Sequence, residues 1–154
     1  MSQSYAIGRL LREHKMTASV GTTFPEDCRK GSMEDESCRQ IVRTSQDLKA
    51  QLRINGSVCH SACVYALIGA SVRQISPGAV VGVHATVWPS PKTTQSTRSD
   101  AEIDEQLRAA RRQYALQMGV DPDLVELTDN TPHDRLRILT RDEIVRLQIE
   151  TPQR

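Results

Sequence analysis

Three side chains in this sequence have the types and the order that acyl transfer to water requires. That chemistry needs a nucleophile, a base to take its proton, a group that orients the base, and donors for the developing oxyanion. Ser61 stands where the strand-like run Ser57 to His60 gives way to the small-residue apolar run Ala62 to Ala70. It is placed to open a helix, with the Ala62 N–H pointing toward negative charge that builds up beside the hydroxyl. His84 is the one ionisable residue of the β-branched stretch Ala79 to Val87, and an imidazole is the side chain suited to proton transfer near neutrality. Asp134, in the polar loop Asp129 to Arg135, is the candidate to accept from the other ring nitrogen. Each residue also has a plainer reading: Ser61 as a helix N-cap, His84 as a hydrogen-bonded core histidine, Asp134 as a turn residue.

Four cysteines surround this set, and an even number suits two disulfides in an oxidising compartment. Cys28 and Cys38 bracket a polar loop, while Cys59 and Cys63 flank Ser61. Pairing within each couple and pairing between the loop and the Ser61 region are both open. No Cys-x-x-Cys knuckle occurs, so no metal site is expected and the chemistry calls for no cofactor. His60, next to Ser61, is expected to diverge from it and face solvent.

The elements that must position these residues follow from periodicity and punctuation. Ile7, Leu10 and Leu11, with His14, lie at helical spacing over Tyr5 to Lys15. Thr17 to Gly21 is a short strand, and Thr22 to Ser37 reads as a surface excursion. Ile41, Ser45, Leu48 and Leu52 recur at helical spacing up to Asn55-Gly56, a stop signal. Val72 to Ile75 and Ala79 to Val87 read as strands around the turn Pro77-Gly78, and the polar Trp88 to Ser99 as a loop. Ser99-Asp-Ala-Glu102 is a capping box opening a helix with Ile103, Leu107, Ala110, Tyr114 and Met118 on its apolar side, closed by Gly119. Its Arg108, Arg111 and Arg112 read as a solvated face. Asp121-Pro122 and Thr140-Arg-Asp-Glu143 open two further short helices. Strands alternating with helices give an α/β class.

Composition narrows the function. At 154 residues, a single domain over 1–154 is expected. Twenty basic against nineteen acidic side chains leave a net charge of +1, too little field to hold nucleic acid or an anionic membrane. Aromatics make up only 3%, so the core is aliphatic and small-residue. No run approaches a bilayer-spanning length, and Met1-Ser2-Gln3-Ser4 is not a basic-then-apolar leader. As written the chain reads as cytoplasmic; an upstream leader would make it periplasmic.

Cys59-His-Ser-Ala-Cys63, then Ala66-Leu-Ile-Gly-Ala-Ser-Val-Arg73, then Pro77-Gly-Ala-Val-Val-Gly-Val-His84 resembles the catalytic stretch of the Clp protease proteolytic subunit. The Cys-x-Ser-Ala-Cys form with Gly-Val-His is similar to a Clp-like branch of predicted bacterial periplasmic proteins. Asp100 to Met118 resembles the family's handle helix, within a span of 100–118. Asp129-Asn-Thr-Pro-His-Asp-Arg-Leu136 resembles the segment that completes its triad, which selects Asp134, with Asp129 as the second choice. Tyr5 to Arg12 resembles the helix after the family's Ser-Pro-Gly-Gly turn, and that turn has no counterpart here.

The resemblance implies a Clp/crotonase-like fold of stacked β-β-α units, N-terminally truncated, with residues 22–55 inserted. It implies a serine hydrolase or peptidase acting on a peptide or protein, with Ser61, His84 and Asp134 as triad and Ala62 N–H as oxyanion donor. It also implies a homo-oligomer assembled through the handle helix, with Tyr114 and Met118 as contacts. A missing oxyanion donor costs about 2.7–4 kcal/mol of transition-state stabilisation, so impaired turnover is expected. The competing expectations are a binding or scaffold protein that keeps the fold without turnover, and crotonase-type acyl-CoA chemistry, which uses paired amides and no triad.

Overall fold

The computed structural model describes residues 2–28, 35–86 and 100–152. The polar loop expected over Trp88 to Ser99, and the Ser99 cap, lie outside them. The element order is α1 (Ser2–Glu13), β1 (Thr17–Ser19), β2 (Thr22–Pro25), α2 (Glu36–Thr44), β3 (Ala50–Arg53), β4 (Val58–His60), α3 (Ala62–Leu67), β5 (Val72–Gln74), β6 (Val80–Val83), α4 (Asp100–Gln117), α5 (Asp123–Asp129), β7 (Arg137–Ile138) and α6 (Arg141–Arg146). The architecture is mixed α/β. Among the described residues the strands form three small sheets: β1 beside β5, β2 beside β3, and β4-β6-β7. β4 and β6 run parallel, whereas β7 lies antiparallel on the other edge of β6.

Helix α1 forms where the spacing predicts it but turns a different face inward. Ile7 and Leu10 are half exposed, and Ser4 and Gly8 are buried instead. The reason is a close helix crossing: a Cβ on Gly69, just past α3, would run into the backbone of Gly8. Only small residues allow two backbones so near, and this contact sets the face that larger side chains would otherwise have chosen. Arg12 then spans the crossing, with Nε donating to the Gly69 carbonyl at 2.9 Å and Nη2 to that of Met118 at 2.9 Å. Arg73, buried, does the same from β5, donating to Ala70, Gln148 and Ile149 carbonyls at 3.0, 3.0 and 2.9 Å. The guanidinium groups thereby satisfy carbonyls left over at helix ends.

The main core gathers Val64, Tyr65 and Ile68 of the α3 region, Val81 and Val83 of β6, Tyr114 and Met118, and Leu124, Val125, Ile144 and Leu147. Tyr114 Oη donates to the Tyr65 carbonyl at 2.8 Å, and Tyr5 sits edge-on to Tyr65 with ring centroids 5.5 Å apart. Tyr114 and Met118 are 1% and 4% exposed, so they are core residues and not the assembly contacts expected of them. Arg111, expected on a solvated face, is 8% exposed and displaces Ala110 from the inner side of α4. Its Nη2 donates to Asp129 at 2.9 Å, joined by Arg108 Nε at 3.1 Å, while Arg112 pairs with Glu126. The three arginines clamp α5 onto α4.

Residues 22–55 differ most from their sequence reading. The helix expected through Leu52 ends at Thr44, and Ala50–Arg53 is instead a strand paired antiparallel with Thr22–Pro25. The Thr-Thr-Phe run, expected in a loop, is β-prone, and Arg53 covers the Phe24 ring at 3.7 Å. This pairing overrides a helical period carried by only four positions. Cys28 and Cys38 are bonded to each other, and with Phe24 they form a small separate core. The Thr140 capping box is present as read, Thr140 Oγ1 accepting from Glu143 N–H and Glu143 from Thr140 N–H.

Candidate functional site

The site is built at the ends of β4 and β6. Their parallel register pairs Val58 with Val80, Cys59 with Val81 and His60 with Gly82. The chain leaves β4 at Ser61 with φ 54° and ψ −116°, and α3 begins at Ala62. A non-glycine residue at positive φ costs of order 1–3 kcal/mol and persists only where its surroundings over-determine it. Here Ser61 N–H donates to the Gly82 carbonyl at 2.9 Å and the Ser61 carbonyl accepts from Val64 N–H at 3.1 Å. Ser61 occupies the cap position of α3, yet its hydroxyl makes no capping hydrogen bond. Ser61, half-buried, stands on a sharp strand-to-helix turn.

His84 follows the last residue of β6 and is half-buried. Its Nδ1 lies 2.8 Å from the Ala85 carbonyl. A carbonyl only accepts, so the contact makes Nδ1–H the donor, and in the neutral form of such a ring the lone pair lies on Nε2. Among the described residues no hydrogen bond joins this ring to Ser61. Asp134 is exposed. Its loop lies against the histidine strand through Ala85 N–H, which donates to the Thr131 carbonyl at 2.8 Å. No described hydrogen bond links Asp134 to the ring. Asp129, the second choice, is taken up by Arg108 and Arg111.

Two further features stand at the turn. Cys59, 1% exposed, is bonded to Cys63, which is exposed, so a bridge spans the turn on which Ser61 sits. His60 is half-buried rather than solvent-facing, and its Nε2 is buried with no hydrogen-bond partner. Its ring lies over Gly82, with Cδ2 3.2 Å from where a Cβ there would stand. Because alternate residues of a strand share a face, Gly82 and His84 point the same way, and His60 joins them. The one sequence signal for this was the glycine two residues before His84.

Among the described residues no group of three or more His, Cys, Asp or Glu side chains is placed to hold a metal ion, and no helix is long and apolar enough to cross a membrane.

No protein-family model and no curated protein matches the chain. Among solved structures, it is similar to a serine-to-alanine mutant of the 1510-N membrane-bound stomatin-specific protease, with TM-score 0.54 and 13% identity over 97% of this chain and 56% of that one. A second is a lysine-to-alanine mutant of the same protease in complex with a substrate peptide, with TM-score 0.45, 18% identity, and coverage of 63% and 42%. The chain thus spans about half the length of the proteases it resembles. The first likeness extends over nearly all of this chain and shows that the fold is a mixed α/β fold similar to that of a protease.

Proposed function

We propose that the chain is a serine-type peptidase or hydrolase of Clp/crotonase-like architecture. Ser61 is the nucleophile, His84 the base, Asp134 the anionic partner of His84, and Ala62 N–H an oxyanion donor. The observation that carries this reading is Ser61 itself: a hydroxyl unused as a cap, held at φ 54° beside the strand that delivers His84. In the reaction Ser61 Oγ attacks a peptide or ester carbonyl while its proton passes to His84 Nε2. The tetrahedral intermediate then collapses, the leaving group takes that proton, and water repeats the sequence on the acyl-enzyme. In this state the Ala85 carbonyl holds Nδ1–H, and Asp134 engages the ring in the substrate complex, where catalytic hydrogen bonds tighten.

A peptide is the substrate class, and the protease likeness is consistent with it. Tyr114 and Met118 are buried within the chain, so self-association uses other surfaces. The absence of a described Ser61–His84 hydrogen bond favours a second reading, a binding protein that keeps the fold without turnover.

Labelling with a fluorophosphonate probe decides between them. Covalent labelling of the wild-type chain, lost in Ser61→Ala and at least tenfold slower in His84→Ala and Asp134→Asn, is the expected result. No labelling of the wild type, or labelling that survives Ser61→Ala, overturns the hydrolase reading.

A further inference from the structure

We propose that the Cys59–Cys63 disulfide is a positioning element for Ser61, and that its reduction releases the nucleophile turn. The inference rests on the nucleophile role given to Ser61 above, while its structural half stands independently of that role. The bridge runs from Cys59, the middle residue of β4, to Cys63, the second residue of α3. Between its ends lies Ser61, the only non-glycine residue of this strand-to-helix junction with positive φ. On one side the Ser61 amide is tied to Gly82, and on the other the bridge closes the turn covalently. A disulfide closing so few residues removes little entropy from the unfolded chain compared with one closing a long loop. Its effect is therefore local, on the conformation of the residues it encloses.

The two bridges of this chain also differ in access. Cys28 and Cys38 are both buried, at 4% and 2% exposure, whereas Cys63 is exposed and only its partner Cys59 is buried. Thiol–disulfide exchange depends on access to the attacked sulfur, so the bridge at the nucleophile is the one a reductant reaches first. A dithiol such as dithiothreitol attacks Cys63 Sγ, and the Cys59–Cys63 bond breaks with Cys59 leaving as thiolate. The second thiol of the reagent then displaces Cys63, and both cysteines take up protons. Two electrons have passed to the protein, and the reagent has become a cyclic disulfide.

The test compares oxidised wild type, wild type partly reduced with dithiothreitol, and the variants Cys59→Ser/Cys63→Ser and Cys28→Ser/Cys38→Ser. Amide exchange followed by NMR reads the turn without reference to activity. Ser61 N–H is expected to exchange at least tenfold faster in the reduced protein and in the Cys59/Cys63 variant. Leu139 N–H, bonded to the Val81 carbonyl, is expected to be unchanged. Fluorophosphonate labelling should fall at least tenfold in its limiting rate with no change in probe affinity. Reoxidation should restore it in the wild type and not in the Cys59/Cys63 variant, and the Cys28/Cys38 variant should label like the wild type.

Unchanged Ser61 exchange on selective loss of the Cys59–Cys63 bridge overturns the proposal. So does labelling at the wild-type rate after that loss. Failure of the oxidised wild type to label removes the hydrolase reading, and the exchange comparison then still decides whether the bridge holds the turn.

Discussion

Ser61 N–H donates to the Gly82 carbonyl at 2.9 Å, continuing the β4–β6 ladder one step past the point where β4 ends. The hydrogen bond that pins the serine therefore comes from the strand that carries His84, two residues further on. Backbone strain at one residue and placement of another are set by the same pairing.

That strain is measurable. Ser61→Gly removes the penalty of φ 54°, since glycine adopts positive φ freely, whereas Ser61→Ala keeps it. The glycine variant is expected to be more stable than the alanine variant by about 1 kcal/mol, a rise in Tm of roughly 2–4 °C for a chain of this size. Thermal unfolding of both variants checks this. Equal stability would mean that the turn is not strained.

The crossing of α1 over α3 depends on Gly69. A methyl there would meet the Gly8 backbone, which cannot rotate away as a side chain would. Gly69→Ala is expected to cost about 3 kcal/mol, at the upper end for overpacking. Gly56→Ala, whose Cβ would meet nothing but whose φ of 70° is strained, should cost only about 1 kcal/mol. Denaturant titration of the two variants measures the contrast.

Asp129 neutralises a guanidinium that is otherwise withdrawn from water. Asp129→Ala leaves Arg111, 8% exposed, without its carboxylate, and breaking such a pair costs roughly 3 kcal/mol. Truncating Arg108, whose side chain is 44% exposed, should cost less than about 1 kcal/mol. Two double-mutant cycles followed by urea unfolding, one for each arginine with Asp129, separate the two ion pairs.

The three tyrosines of the sequence, Tyr5, Tyr65 and Tyr114, form one cluster. Burial raises all three phenols above their ordinary value of 10.0, with Tyr114 pushed up to about 12. A folded-state pKa above the unfolded one means stability that is full below pH 10 and is lost as pH rises from there through about 12. Tyrosinate absorbance is expected to appear only together with loss of the folded circular dichroism signal. Ionisation near pH 10 with the fold intact would contradict the cluster.

What the sequence determined by itself was local. The Thr140 box, the glycine stop at Gly119, and the strand-to-helix change at Ser61 are each encoded within a few residues, because caps and turns are satisfied by near neighbours. Ser61 and His84 stood out because an apolar, small-residue context isolates them. The tertiary structure decided whatever depends on distant partners. The inward face of α1 follows from the Gly8–Gly69 approach, and Arg111 takes an inner position because Asp129 waits on α5. The strand at Ala50–Arg53 exists because Thr22–Pro25 pairs with it, and the apolar period alone had no means to see that edge. At the site, the residue types were readable from the chain, but the backbone angle of Ser61, the orientation of the His84 ring and the burial of His60 were not. They arise from the β4–β6 register and from the carbonyls of Gly82 and Ala85, backbone groups whose role no side-chain pattern announces.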